Sequence, residues 1–187
     1  MRTIVGLRRL MPARGEWRTL GLLVAGTALF AITLRYSPIR PAIVAMFVLT
    51  PLFGLPWLLF GPHDRIVVRA LIVVLGFPLA HCLAVGAGFA LAMTNRGFPF
   101  TPGGWTNSMA AAGAVAGVVG CAVSLMLCAL AGLIRPGRRL AMLLGSLLLG
   151  AVGAVALSAI EGERSYLPLD AIWQSAFAYV LTKTLRT

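Results

Sequence analysis

The sequence predicts an all-α, polytopic membrane protein, on three observations: its composition, the length of its apolar runs and the placement of its arginines. Apolar residues make up 59% of the 187, only 11% are charged, and the mean hydropathy is +0.93. A water-soluble domain of this length needs far more polar surface. Instead the chain holds several runs of about 20 apolar residues, each able to cross ~30 Å of hydrocarbon at ~1.5 Å per residue. The runs are apolar on every side and show no alternation, which excludes a β-barrel.

The net charge is +11, and fifteen of the sixteen basic residues are Arg. They fall between the apolar runs or at their ends, where they set topology and attract anionic lipid headgroups. No basic patch is interleaved with aromatic residues, so nucleic acid is not an expected partner. The lipid bilayer is the certain partner of such a chain; a membrane-protein partner or a second copy is compatible with it.

Six spans are expected within a single integral membrane domain covering residues 1–187. Residues 1–18 carry five Arg and read as a retained basic cytoplasmic arm, since no convincing small-x-small cleavage site follows the first apolar run. Span 1 covers residues 19–34. Span 2, residues 42–60, is interrupted by Pro51 and Pro56; each proline removes a backbone donor and makes a kink. The turn GPHDR (residues 61–65) leads to span 3, residues 66–94, which contains Pro78; Asp64 is placed to cap it. The Gly- and Pro-rich NRGFPFTPGGWTN (residues 95–107) is a loop. Spans 4 and 5, residues 108–134 and 140–160, flank a short basic turn. Gly113 and Gly117 form a small-x-x-x-small pair suited to close packing of those two spans as an antiparallel hairpin. After the polar connection EGERSYLPLD, residues 168–185 form span 6; a five-span chain is the alternative.

With the N-terminus inside and six spans, twelve Lys and Arg lie on the cytoplasmic side and four (Arg35, Arg40, Arg96 and Arg164) outside. With five spans Lys183 and Arg186 move out and the split becomes ten against six, so six spans with both termini cytoplasmic fit the positive-inside rule better. The compact build and Arg bias suit a bacterial-type cytoplasmic (inner) membrane. Trp17, Trp57 and Tyr179 fall at expected inner boundaries; Tyr36, Trp105 and Tyr166 fall at outer ones.

Few residues are candidates for chemistry. His81, near the middle of span 3, must satisfy a donor and an acceptor where hydrocarbon offers neither, so it is expected to face the bundle interior. Gln174 in span 6 is expected to turn inward. Asp170 lies at the outer rim beside Glu161 and Glu163, an acidic group that reads as a solvated loop with a local ion pair to Arg164. Pro51, Pro56 and Pro78 are candidate kinks; the paired prolines of span 2 read first as a static bend and second as a broken helix of the kind found at transporter sites.

No cofactor or metal is expected. His63 and His81 are eighteen residues apart, ~27 Å along a helix, and Cys82, Cys121 and Cys128 lack metal or redox spacing. No G-x-S-x-G, H-E-x-x-H or Walker motif is present, and two histidines with five acids leave little for acid–base work. The sequence therefore favours a non-enzymatic subunit or accessory of a membrane assembly. A small transporter or channel-like protein using the Pro-broken span 2 and His81 is the alternative, and a membrane-embedded enzyme ranks third.

Overall fold

A computed structural model describes residues 12–39, 42–94, 104–158 and 166–186. The described chain is all-helical, and four helices are long and apolar enough to cross a membrane: Gly15–Tyr36, Ile66–Ala92, Met109–Leu130 and Arg139–Ser158. Val44–Phe60 is a shorter apolar stretch. We number the helices α1 (Arg14–Tyr36), α2 (Ala42–Leu49), α3 (Pro51–Phe60), α4 (Ile66–Leu71), α5 (Phe77–Thr94), α6 (Gly104–Leu130), α7 (Arg139–Ser158) and α8 (Tyr166–Thr184). A π-helical segment, Ile72–Gly76, joins α4 to α5.

Each irregularity in the helices has a sequence cause. Pro51 cannot donate to the carbonyl of Phe47, and the Thr50 N–H takes that acceptor instead at 3.3 Å. The chain tightens there, so residues 42–60 form two helices that meet at Thr50, with Pro51 opening the second. Pro78 likewise lacks the donor for an ordinary helical bond to Val74. Just before it the backbone loosens by one residue, and the Phe77 N–H bonds to the carbonyl of Ile72, five positions back. Such π turns recur where a helix must absorb a local mismatch.

The helices pack as a closed ring in chain order. α1 lies on α3, α3 on the π segment, α5 on α6, α6 on α7, and α7 on α8, which returns to α1. The expected α6–α7 hairpin is present. A Cβ on Gly113 would overlap the carbonyl of Gly153, and one on Gly117 the carbonyl of Leu149. The two backbones therefore touch antiparallel, a separation that only small residues permit. The interior holds Leu23, Phe53, Phe77, Leu125, Leu149 and Leu181, all buried. Along α7, Leu140, Leu143, Leu144, Leu147 and Leu148 point outward and are exposed. Outward-facing leucines with small residues inside are the arrangement expected of a helix in lipid.

One end of the bundle is tied by polar contacts. Glu16, only 4% exposed, accepts from Arg135 Nη1 at 3.1 Å and from Lys183 Nζ at 3.0 Å. The Arg135 N–H bonds to the carbonyl of Thr184, and the Arg186 N–H to that of Leu133. Ile134 and Leu185 thus form an antiparallel bridge. Arg18 Nη2 reaches the carbonyl of Phe60 at 2.8 Å, and Arg65 Nη1 the carbonyls of Ala131 and Gly132. The start of α1, the 61–65 turn, the 131–138 turn and the end of α8 consequently meet at a single end.

Several expected details are corrected. α1 begins at Arg14, five residues before the expected start of span 1, and α6 ends at Leu130 rather than Ile134. The loss at α6 follows from Gly132, whose φ of 69° turns the chain out of the helix. Asp64 does not cap the following helix. The cap position is held by Arg65 in a left-handed conformation, φ 53°, with no side-chain hydrogen bond. Trp57 is not a headgroup ring: it is buried at 3% exposure, with the Arg69 guanidinium carbon 4.4 Å above its ring centre. Residues 1–11 of the basic arm and Glu161, Glu163 and Arg164 lie outside the described residues.

Candidate functional site: an aromatic-lined chamber with polar groups

The break between α2 and α3 places Thr50 beside His81. The Thr50 hydroxyl, at a residue 6% exposed, lies 2.7 Å from the carbonyl of Met46 and 2.8 Å from His81 Nδ1. A carbonyl oxygen can only accept, so the single hydroxyl proton of Thr50 goes to Met46. The hydroxyl oxygen must then accept from His81, which makes Nδ1 the protonated nitrogen. In the neutral ring, Nε2 then keeps its lone pair. The edge of Phe47, with ring centres 5.2 Å apart, holds the imidazole in place.

His81 and Thr50 line a cavity of about 40 Å³ with Phe53, Phe77, Gly120, Ser124, Trp173, Gln174 and Phe177. That is room for one or a few water-sized guests, since about 10–15 Å³ of such space admits one water. Gln174 is 6% exposed, and its Oε1 is fully buried without a hydrogen-bond partner. A buried amide oxygen left unpaired costs about 1–3 kcal/mol. Ser124, buried at 3%, lies on the same wall. Gly120 opens the wall, because α6 there faces Ala84 and the Trp173 ring with no side chain between.

The remaining lining is aromatic. Phe53, Phe77 and Phe177 lie with ring centres 5.6–5.9 Å apart, and Trp173 stacks on Phe177 at 5.5 Å. These contacts join α3, α5 and α8, so the last helix completes the chamber as well as the ring.

His81 and Gln174, proposed separately from the sequence, line one cavity. Pro51 and Pro78 act through the backbone, setting Thr50 and the helix that carries His81. Pro56 lies within α3 and does not line the chamber. Asp170 is the fifth residue of α8, which begins at Tyr166, so it falls two residues further into the helix than expected; its side chain, like Glu161, lies outside the described residues. Thr50 was not legible as a site residue, since a hydroxyl in an apolar run usually bonds its own helix. A threonine directly before a proline in a span was the available signal.

The three cysteines are free, Cys121 and Cys128 buried and Cys82 exposed. Among the described residues no three His, Cys, Asp or Glu side chains gather as a metal site. The chain matches no protein-family profile, no curated protein and no solved structure.

Proposed function

We propose that the protein is a six-span helical protein of a bacterial-type cytoplasmic membrane, with both termini inside, and that its chamber takes a small monovalent cation carrying N–H or O–H donors. Support for six spans comes from the ring order and from the meeting of both chain ends with the 61–65 and 131–138 turns. An even number of crossings brings them together, and the same end holds most of the Lys and Arg.

The observation that carries the functional reading is one aromatic-lined cavity bordered by both His81 and Gln174, with the Gln174 Oε1 buried and unpartnered; with Nδ1 protonated against Thr50, Nε2 of a neutral His81 is the second acceptor. Two acceptors call for a guest that donates, and aromatic faces favour a cation over an anion. The cavity volume limits the guest to about the size of water. Ammonium, or a protonated water, fits all three conditions. The Pro-broken helix beside the cavity supplies the irregular backbone that intramembrane sites use when it borders a polar space. The cavity and its polar lining are why we put this reading ahead of the accessory-subunit one.

Charge movement on a solid-supported membrane tests it. An ammonium chloride jump across proteoliposomes should evoke a transient current that an equal sodium chloride jump does not. His81→Ala and Gln174→Leu should remove the current while purifying as well as wild type. Absence of current in wild type, with both ammonium and pH jumps, would reduce the chamber to a site for structural water. Purification from native membranes with a stoichiometric partner would instead favour the subunit reading.

A further inference from the structure

The polar end of the bundle holds a second and larger cavity. It measures about 170 Å³ and is lined by Trp57, Asp64, Arg65, Arg69, Gly132 and Arg186, among others. This is roughly ten times the 10–15 Å³ that admits one water. Three guanidinium groups border it, contributed by the 61–65 turn, by α4 and by the segment after α8. Asp64 is the one carboxylate on its wall.

Arg69 is the telling residue. It is 2% exposed, and only its Nη2 has a partner, the carbonyl of Trp57. Its Nε and Nη1 are buried without any. Among the described residues the ion pairs within contact distance are those of Glu16; the charge of Asp64 reaches Arg69 only from further away. The Trp57 face attracts the cation but gives no acceptor to either N–H. Burying a guanidinium with two idle donors is costly, and such groups are ordinarily paired with an anion.

Two glycines clear the space that the guanidiniums occupy. A Cβ on Gly61 would overlap Arg69 Nη2, and one on Gly132 would overlap Arg65 Nη1. Arg65 is itself held in a left-handed backbone conformation, φ 53°, which is rare outside glycine. Its Nη1 is fixed on the carbonyls of Ala131 and Gly132, as Arg186 Nε is on that of Ile134. The guanidinium groups are thus positioned by backbone contacts that leave further N–H groups of each.

We infer that this cavity binds one phosphate-bearing anion, with Arg69 as its buried anchor and Arg65 and Arg186 at its rim. A phosphate presents several acceptor oxygens in a tetrahedral array, which suits donors converging from three chain segments better than a flat carboxylate does. The group can arrive as the headgroup of an anionic lipid or as free phosphate, and the chemistry is the same. The inference is independent of the chamber at His81.

The test uses the full chain in neutral detergent, with two probes. Native mass spectrometry after exchange into phosphatidylcholine discs containing phosphatidylglycerol reads lipid retention. Thermal unfolding with millimolar inorganic phosphate, at matched ionic strength with chloride, reads the soluble anion. Retention of one phosphatidylglycerol per chain assigns a lipid headgroup; phosphate-specific stabilisation assigns the free anion. Arg69→Met should weaken the positive signal at least tenfold, and Arg139→Gln, an exposed arginine outside the cavity, less than twofold. If Arg69→Met does not fold, Arg186→Gln at the exposed rim should still weaken it at least threefold. Two results would overturn the inference: neither probe binding to wild type, or Arg139→Gln costing as much as the cavity variant.

Discussion

The Glu16 cluster at the polar end of the bundle and the chamber at its centre use polar residues in opposite ways. At the end, Glu16 is matched by both Arg135 and Lys183, and backbone groups of the 131–138 turn pair with the end of α8. The chamber instead sets four polar side chains among four aromatic rings and leaves the Gln174 oxygen unpaired. Satisfied polar groups fasten a fold; an unsatisfied one in a cavity stores a preference for whatever can satisfy it. Removing a fastening should therefore cost stability, and removing the idle group should not.

Glu16→Gln is the sharpest way to break the comparison. It leaves two cations beside a buried position, and the loss expected for a broken ion pair is reduced because Arg135 and Lys183 keep 29% and 18% of their side chains exposed. A destabilisation of about 1–3 kcal/mol follows, read as a lower thermal midpoint in detergent. The exchange Glu16→Lys with Lys183→Glu should recover part of it; a double variant no better than the single one would show that the pair itself contributes nothing.

Thr50→Val should have the next largest effect. It removes the acceptor of His81 Nδ1 while keeping the shape, at about 1 kcal/mol, and frees the imidazole to adopt its other tautomer. The ammonium response should fall even where the protein remains folded. Equal currents for Thr50→Val and wild type would separate the Thr50–His81 bond from function.

Gln174→Leu carries the opposite sign. With no hydrogen bond to its Oε1 to lose, the variant should match or exceed wild type by up to about 1 kcal/mol in thermal unfolding, yet give no ammonium current. A large loss of stability would mean that the amide is a structural brace. The smallest effect is expected for Arg138→Gln, which lies outside the Glu16 contacts and both cavities, within about 0.5 kcal/mol of wild type.

How much could be read in advance depends on the range of the interaction. The helical class and the α6–α7 hairpin were legible because hydropathy over twenty residues and the spacing of Gly113 and Gly117 are local signals. His81 and Gln174 were legible singly, since a polar side chain in an apolar run has few places to go. Their meeting was not, because it depends on the bend at Thr50 and on α8 closing the ring. Glu16 gave no signal at all: its partners lie 119 and 167 residues away. Trp57 and Arg69 misled for a related reason. Each has the composition of a membrane-boundary residue, and only the fold shows that the two stack on one another inside the protein. Asp64 reads as a helix cap by position, but the left-handed Arg65 takes the cap site.

The central claim is that His81 presents an Nε2 lone pair to a donating guest. Nitrogen-15 NMR of the His63→Gln variant in lipid measures this directly, because His81 is then the sole histidine. The account predicts a neutral imidazole protonated at Nδ1, with an Nε2 resonance that moves as ammonium is added and stays put with sodium in Gln174→Leu-sensitive fashion. A spectrum showing the proton on Nε2, or an Nε2 resonance indifferent to ammonium, would contradict it.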